Sequence, residues 1–224
     1  MKKRTKLINR QLPQYYRGEE IMNMTTHIVG GGIGIIALVL CILKAAFSGN
    51  ALGIITGCVF GVSMINLYAM SSIYHGLIPS TAKKVLQILD HCSIYLLIAG
   101  TYTPILVCSI LPEYPYIALG LLIMEWALAV LATTLTAIDL KIYNVFSMIC
   151  YIFMGWGIIF FLPIAISALG DPAFYLILTG GIFYTLGAIL YGIGSKKHWF
   201  HSVFHIFVVL GSLFHALAII LYVL

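Results

Sequence analysis

Three histidines, His75, His201 and His205, stand near the ends of two very apolar stretches that are far apart in the sequence. His201 and His205 are four residues apart, so on a helix both imidazoles project from one face, about 6 Å apart at Cβ, a spacing that suits two ligands on one ion. Alone, such a pair is more often two interfacial histidines than a metal site. His75 adds a third imidazole at the same depth, on the topology derived below. Three neutral nitrogen ligands with an open fourth position are the catalytic form of a zinc site, whereas a closed structural site takes four protein ligands. Imidazoles without a thiolate fit zinc better than calcium or magnesium. No Glu follows His201 in the H-E-x-x-H manner, so the soluble metalloprotease motif is absent.

Asp90 is the candidate base, and Ser71, one turn before His75, faces the same side of its helix. A cationic site would keep Asp90 ionised, and its carboxylate would then accept the proton of a water activated by the metal. The competing reading pairs Asp90 with His27 or His91. Ser71 would orient a ligand or the water, or else back-bond to its own helix. Glu20, Asn23 and His27 share one helical face and would pin the first helix against the site. Glu125, in mid-span, reads either as a proton or substrate contact or as a neutral packing group.

The elements that must position these residues are membrane spans. Hydrophobic residues make up 62% of the chain and charged residues 8%, against roughly a quarter charged in soluble domains, and the mean hydropathy is +1.06. A span needs about 20 mostly apolar residues to cross about 30 Å of hydrocarbon, and seven segments qualify, at roughly 25–46, 52–74, 85–110, 116–137, 142–163, 172–193 and 199–223. The expected fold is therefore an all-α, integral membrane seven-transmembrane helix bundle, with a cytoplasmic N-terminal segment, 1–24, and a membrane domain, 25–224. Placing the N-terminus in the cytoplasm and the C-terminus outside puts Lys2, Lys3, Arg4, Lys6, Arg10, Arg17, Lys83, Lys84, Lys141, Lys196 and Lys197 inside and leaves only Lys44 outside, as the positive-inside rule requires.

On that topology the ionisable residues within spans gather in the cytoplasmic half. Each costs roughly 2.5–3.5 kcal/mol to insert, so the clustering calls for a shared purpose; Asn66, Glu125 and His215 lie apart from it. The net charge of +5 is topogenic and attracts anionic headgroups. Without aromatic interleaving it excludes a nucleic-acid partner. Residues 1–24 contain Pro13 and no apolar core, so they are not a cleaved signal peptide, and the first span acts as an uncleaved anchor. The five cysteines show no C-x-x-C spacing and read as packing residues. Gly53, Gly57 and Gly61 on the second span, and Gly30 and Gly34 on the first, recur every four residues, which marks close helix contact rather than a phosphate loop.

Taken in order, Glu20-x-x-Asn23-x-x-x-His27, Ser71-x-x-x-His75, Leu89-Asp90-His91 leading to Gly100-Thr101-Tyr102-Thr103-Pro104, and His201-x-x-x-His205 followed by His215 resemble the motifs of the progestin and adipoQ receptor family. The compact length makes the chain more similar to its bacterial branch, the hemolysin III family, over essentially residues 20–220. The resemblance implies a zinc ion held by His75, His201 and His205, Asp90 and Ser71 beside it, and a cavity reached by lipid; ceramidase-like amide hydrolysis is attributed to some relatives. The expected function is a zinc-dependent hydrolase of a membrane lipid's amide or ester bond, in the plasma membrane and serving membrane homeostasis. The alternatives are a lipid- or ligand-responsive receptor or sensor with structural zinc, and a cytolytic pore. No oligomeric state is implied.

Overall fold

In lipid every backbone polar group must be satisfied within the protein, and a helix does this residue by residue. The computed structural model describes residues 4–194 and 197–224, and its regular structure there is helical throughout. The helices are α1 (Arg17–Phe47), α2 (Ala51–Gly76), α3 (Thr81–Pro104), α4 (Pro115–Ile138), α5 (Asn144–Gly155), α6 (Leu162–Leu169), α7 (Asp171–Gly194) and α8 (Phe200–Ala218). Seven helical stretches are long and apolar enough to cross a membrane, α3 being extended to Ile110 and α5 with α6 forming one stretch. The chain is a multi-pass membrane protein. Lys2, Lys3 and Lys196, counted above in the charge bias, lie outside the described residues.

Two boundaries differ from the sequence reading. α1 begins at Arg17, eight residues before the expected span, because Glu19 turns its carboxylate back to accept the Tyr16 N–H at 2.8 Å and caps the helix. The expected boundary between 1–24 and 25–224 therefore falls inside one helix, and Glu20, Asn23 and His27 all ride on it. The fifth span is not continuous. α5 stops at Gly155, a 3-10 turn covers Gly157–Phe161, and α6 resumes with Pro163 in its first turn. The Tyr102 hydroxyl mends this break, donating to the Gly155 carbonyl at 3.2 Å and accepting the Ile158 N–H at 3.1 Å. Beside the break lies Glu125, fully buried, with neither carboxyl oxygen hydrogen-bonded among the described residues. Gly157 leaves room for it, since a Cβ there would stand 3.2 Å from Glu125 Oε1.

The glycine stripe does what its spacing predicts. Gly30 receives the Tyr68 ring, Gly34 faces Met64 and Ile65, Gly57 faces Cys41, and Gly61 faces Leu38, so α1 and α2 approach almost backbone to backbone. Tyr68 then reaches across the bundle: its hydroxyl donates to Ser212 Oγ at 2.7 Å, and Tyr184 OH meets the same oxygen at 2.6 Å. α2, α7 and α8 are thereby tied together in the interior.

A Cβ on Gly61 would come within 2.6 Å of Leu38 Cβ, whereas one on Gly32 meets nothing within 4 Å. Gly61→Val is therefore expected to destabilise the detergent-purified protein by about 1–3 kcal/mol, seen as a lower thermal midpoint, and Gly32→Ala to leave the midpoint unchanged or slightly raised.

Candidate metal centre

Two neighbouring carboxylates in the first turn of α1 position the histidines. Besides capping its own helix, Glu19 accepts the backbone N–H of Trp199 at 2.5 Å and lies 3.2 Å from His198 Nδ1. Trp199 has φ +69°, a left-handed conformation that a bulky residue adopts at some strain. The Glu19 contact holds it there, at the point where α8 starts, and so sets where His201 and His205 emerge, in the first and second turns of the helix.

Glu20 performs the corresponding task on the other side. Its Oε2 lies 2.6 Å from His75 Nδ1, in the last turn of α2, and its Oε1 lies 2.6 Å from Lys83 Nζ, in the first turn of α3. Lys83, itself buried, also donates to the Leu77 carbonyl at 2.8 Å and lies over the Tyr74 ring. A carboxylate against Nδ1 assigns the imidazole proton to that nitrogen and leaves Nε2 as a free lone pair. His75 Nε2 is buried and has no partner among the described residues.

His205 is arranged the same way, with Nδ1 3.3 Å from the Asn23 carbonyl and Nε2 3.1 Å from His201 Nε2. His75, His201 and His205 are all buried, and their ligand nitrogens lie within 4.8 Å of one another. Two adjacent imidazole nitrogens and a third, orphaned one turned to the same spot form a cluster able to coordinate a metal ion. Three imidazoles with no thiolate are a donor set that suits zinc.

The other expected residues fall around this cluster. His27 stacks on His205, ring centroids 3.8 Å apart and planes 20° apart, and neither of its nitrogens is hydrogen-bonded among the described residues. Ser71 makes no back-bond to α2, and its hydroxyl lies beside the Asp90 carboxylate. Of the two histidines considered as partners for Asp90, His91 is within ion-pair reach, its Nδ1 3.8 Å from the carboxylate, although that nitrogen makes its shorter contact, 2.8 Å, with the Gln87 carbonyl. Asp90, Ser71, His27, His201 and His205 line one end of a cavity of about 160 Å³. The cavity continues between α3, α5, α7 and α8 past Ile98, Ile152 and Val208 to Tyr102, Trp156 and His215. Asp90 and Tyr102 are twelve residues apart on α3, about 18 Å along the axis. Asn66 and Glu125 do not line it.

The sequence is similar to that of known proteins over most of this architecture. The model of a family described as "Haemolysin-III related" matches residues 15–216. The chain belongs to the haemolysin-III-related family. It is 36% identical to Hemolysin-3 of Bacillus cereus over 92% of both chains. It is 38% identical to the Hemolysin-3 homolog of Bacillus subtilis (strain 168), over 87% of this chain and 89% of that one. A more distant relative is the human Monocyte to macrophage differentiation factor, at 25% identity over 74% of this chain and 69% of that one. In this haemolysin-III-related protein the family match begins at Tyr15, so it takes in Glu19 and Glu20 as well as the histidines.

Sequence reading named Glu20, Asn23 and His27 as one face but missed Glu19, Lys83 and Tyr15, whose ring stacks on His201 at 4.9 Å. No local pattern marks Glu19, since the N-cap it closes on is Tyr16 and not a Ser, Thr, Asp or Asn, and nothing local marks Lys83 or Tyr15.

Glu20→Gln removes the charge that orients His75 and leaves Lys83 buried without its counter-ion. Metal affinity is expected to fall about 10–100-fold, measured by competition with a chelator, while the helical circular dichroism spectrum is retained.

Proposed function

We propose that this protein is a zinc-dependent lipid hydrolase of the plasma membrane, with the histidine cluster near the cytoplasmic face, the N-terminus inside and the C-terminus outside. The bulk of the described Lys and Arg residues, including Arg4, Lys6, Arg10, Arg17, Lys83, Lys84, Lys141 and Lys197, belong to the N-terminal segment and to the connections on that side, which supports the orientation. His75, His201 and His205 would hold the ion, and residues 25–224 would form the membrane domain with 1–24 as its cytoplasmic lead-in. Zinc bound there would act as a Lewis acid and make water nucleophilic near neutral pH.

The remaining roles belong to the chain itself. Asp90 takes the proton lost by the attacking water and returns it to the departing nitrogen or oxygen, so water is divided between the acyl product and the leaving group as the amide or ester bond breaks. Ser71, beside that carboxylate, orients it and the reacting carbonyl. The apolar walls running from Asp90 to Trp156 accept a hydrocarbon chain and keep bulk water from the reacting end. The observation that carries this reading is the shared cavity: a carboxylate, a hydroxyl and two of the three clustered histidines meet at one end of an apolar channel inside a membrane bundle.

The name Hemolysin-3, borne by the relative from Bacillus cereus, points to a pore as the competing reading. A conducting path calls for polar groups through the full thickness, whereas the one carboxylate and all the histidines but His215 that line this cavity gather at one end, and beyond them the lining is apolar with scattered hydroxyl and amide groups such as Thr101, Asn144 and Thr185.

Asp90→Ala in nanodiscs is expected to retain wild-type metal content while hydrolysis of N-acyl or ester lipids, followed by mass spectrometry, drops at least about 100-fold, the lower range for loss of a general base. Unchanged turnover in the metal-loaded variant would remove Asp90 from the reaction. Liposome leakage that survives loss of all three histidines would favour the pore.

A further inference from the structure

The segment before α1 crosses the bundle face that carries the histidine cluster. At its far end the Thr5 N–H donates to the Asp139 carboxylate at 2.6 Å, and Arg4 Nε and Arg10 Nη2 donate to the Ile138 carbonyl at 3.2 and 3.3 Å, all at the end of α4. Midway, Lys84 Nζ, in the first turn of α3, donates to the Ile8 carbonyl at 2.6 Å. At its near end the Tyr15 ring lies stacked on His201, centroids 4.9 Å apart and planes 18° apart, and 5.8 Å from the His75 ring. Tyr16 stacks in turn on His198 at 4.1 Å. The segment is thus fastened to α4 and α3 on one side and lies against two of the three clustered histidines on the other. Apart from one turn at Leu7–Asn9 it has no regular structure of its own, so its position depends on these contacts.

We propose that residues 4–16 form a strap over the histidine cluster, with the Tyr15 ring as its roof, so that water-soluble ions and ligands reach His201 from this face only when the strap lifts. The apolar cavity serves the membrane side, and a hydrated ion or a charged chelator does not cross hydrocarbon walls, so the strap covers the remaining approach. Tyr15 is a positioning residue: its ring fixes the plane of the His201 imidazole and excludes water from it, and burial pushes its phenol up so that it remains neutral. The strap is held by a few polar contacts, several of them exposed, which places it among the parts of a fold that open locally without global unfolding.

The Asp139 anchor is intact at neutral pH. Burial alone would raise this carboxyl, but the N–H groups of Thr5, Ile142 and Lys141 hold it below the ordinary carboxylate range. Its contribution is therefore present above about pH 4 and is lost as the pH falls through the lowered value. Arg4 and Arg10 donate to the adjacent Ile138 carbonyl, and Lys141 meets the carboxylate through its backbone N–H.

The role in metal exchange rests on the proposal that the cluster holds zinc; the covering of His201 does not. The test therefore uses two measurements on the full-length protein in nanodiscs. In metal-free protein, carbethoxylation of His201 by diethylpyrocarbonate, followed by peptide mass spectrometry, should be about tenfold faster in Tyr15→Ala and in Asp139→Asn than in wild type, the factor that ~1.4 kcal/mol of lost docking gives. Tyr15→Phe, which keeps the ring, should match wild type. In zinc-loaded protein, release to a water-soluble chelator should accelerate in the same two variants at unchanged starting metal content. Unchanged His201 reactivity in both variants overturns the strap whether or not metal binds. Faster His201 reactivity in a protein that takes up no zinc supports the strap and sets aside the metal reading alone.

Discussion

The Glu20 carboxylate lies 2.6 Å from both His75 Nδ1 and Lys83 Nζ, and inside a helical bundle, where His75 and Lys83 are buried, each of these three groups depends on the others. A lone carboxylate or ammonium there would carry an unpaid desolvation penalty, and a free imidazole could turn either nitrogen toward the cluster. Held together, the three groups join α1, α2 and α3 and turn His75 Nε2 inward. Glu19, the preceding residue, leaves the helix in another direction and holds the start of α8. Consecutive residues on one helical turn thus fix histidines supplied by helices that are more than a hundred residues apart in sequence. The geometry of the cluster follows from α1 more than from the helices that carry its histidines.

Tight packing on one side of the bundle and an open channel on the other come from different residue types. Between α1 and α2, glycines bring the backbones close enough that Tyr68 and Leu38 fill the space a Cβ would occupy. Between α3, α5, α7 and α8 the walls are apolar but do not close, and the cavity runs from Asp90 to the break after Gly155. Tyr102 makes that break tolerable inside a membrane by serving two of the backbone groups there, the Gly155 carbonyl and the Ile158 N–H. The unpartnered Glu125 carboxyl beside it lies outside the cavity lining and outside the histidine cluster.

Much of this was legible in the sequence, for physical reasons. Apolar runs of span length have one solution in lipid, so seven spans and their order followed from composition and hydropathy. His201 and His205 share a helix face by spacing alone, and charge bias put His75 at the same end. Glycines every four residues located the α1–α2 contact. The broken fifth span was not legible, because Gly155, Gly157 and Pro163 are tolerated in membrane helices and mark no unique outcome. Nor was the start of α1: a hydropathy window discounts Glu19 and Glu20, although their carboxylates are satisfied by helices distant in sequence. The strap was hidden for the same reason, since Thr5 to Asp139 and Tyr15 to His201 are long-range contacts with no local signature.

One zinc ion would occupy the point toward which the nitrogens of His75, His201 and His205 are turned. The most direct measurement is elemental analysis of the detergent-purified protein, wild type beside His201→Ala, with folding of both checked by circular dichroism. Equimolar zinc in the wild type that is lost from the folded variant is the predicted result. A folded wild type that binds no metal, even when supplied with zinc, or a variant that keeps its full complement, would contradict the account.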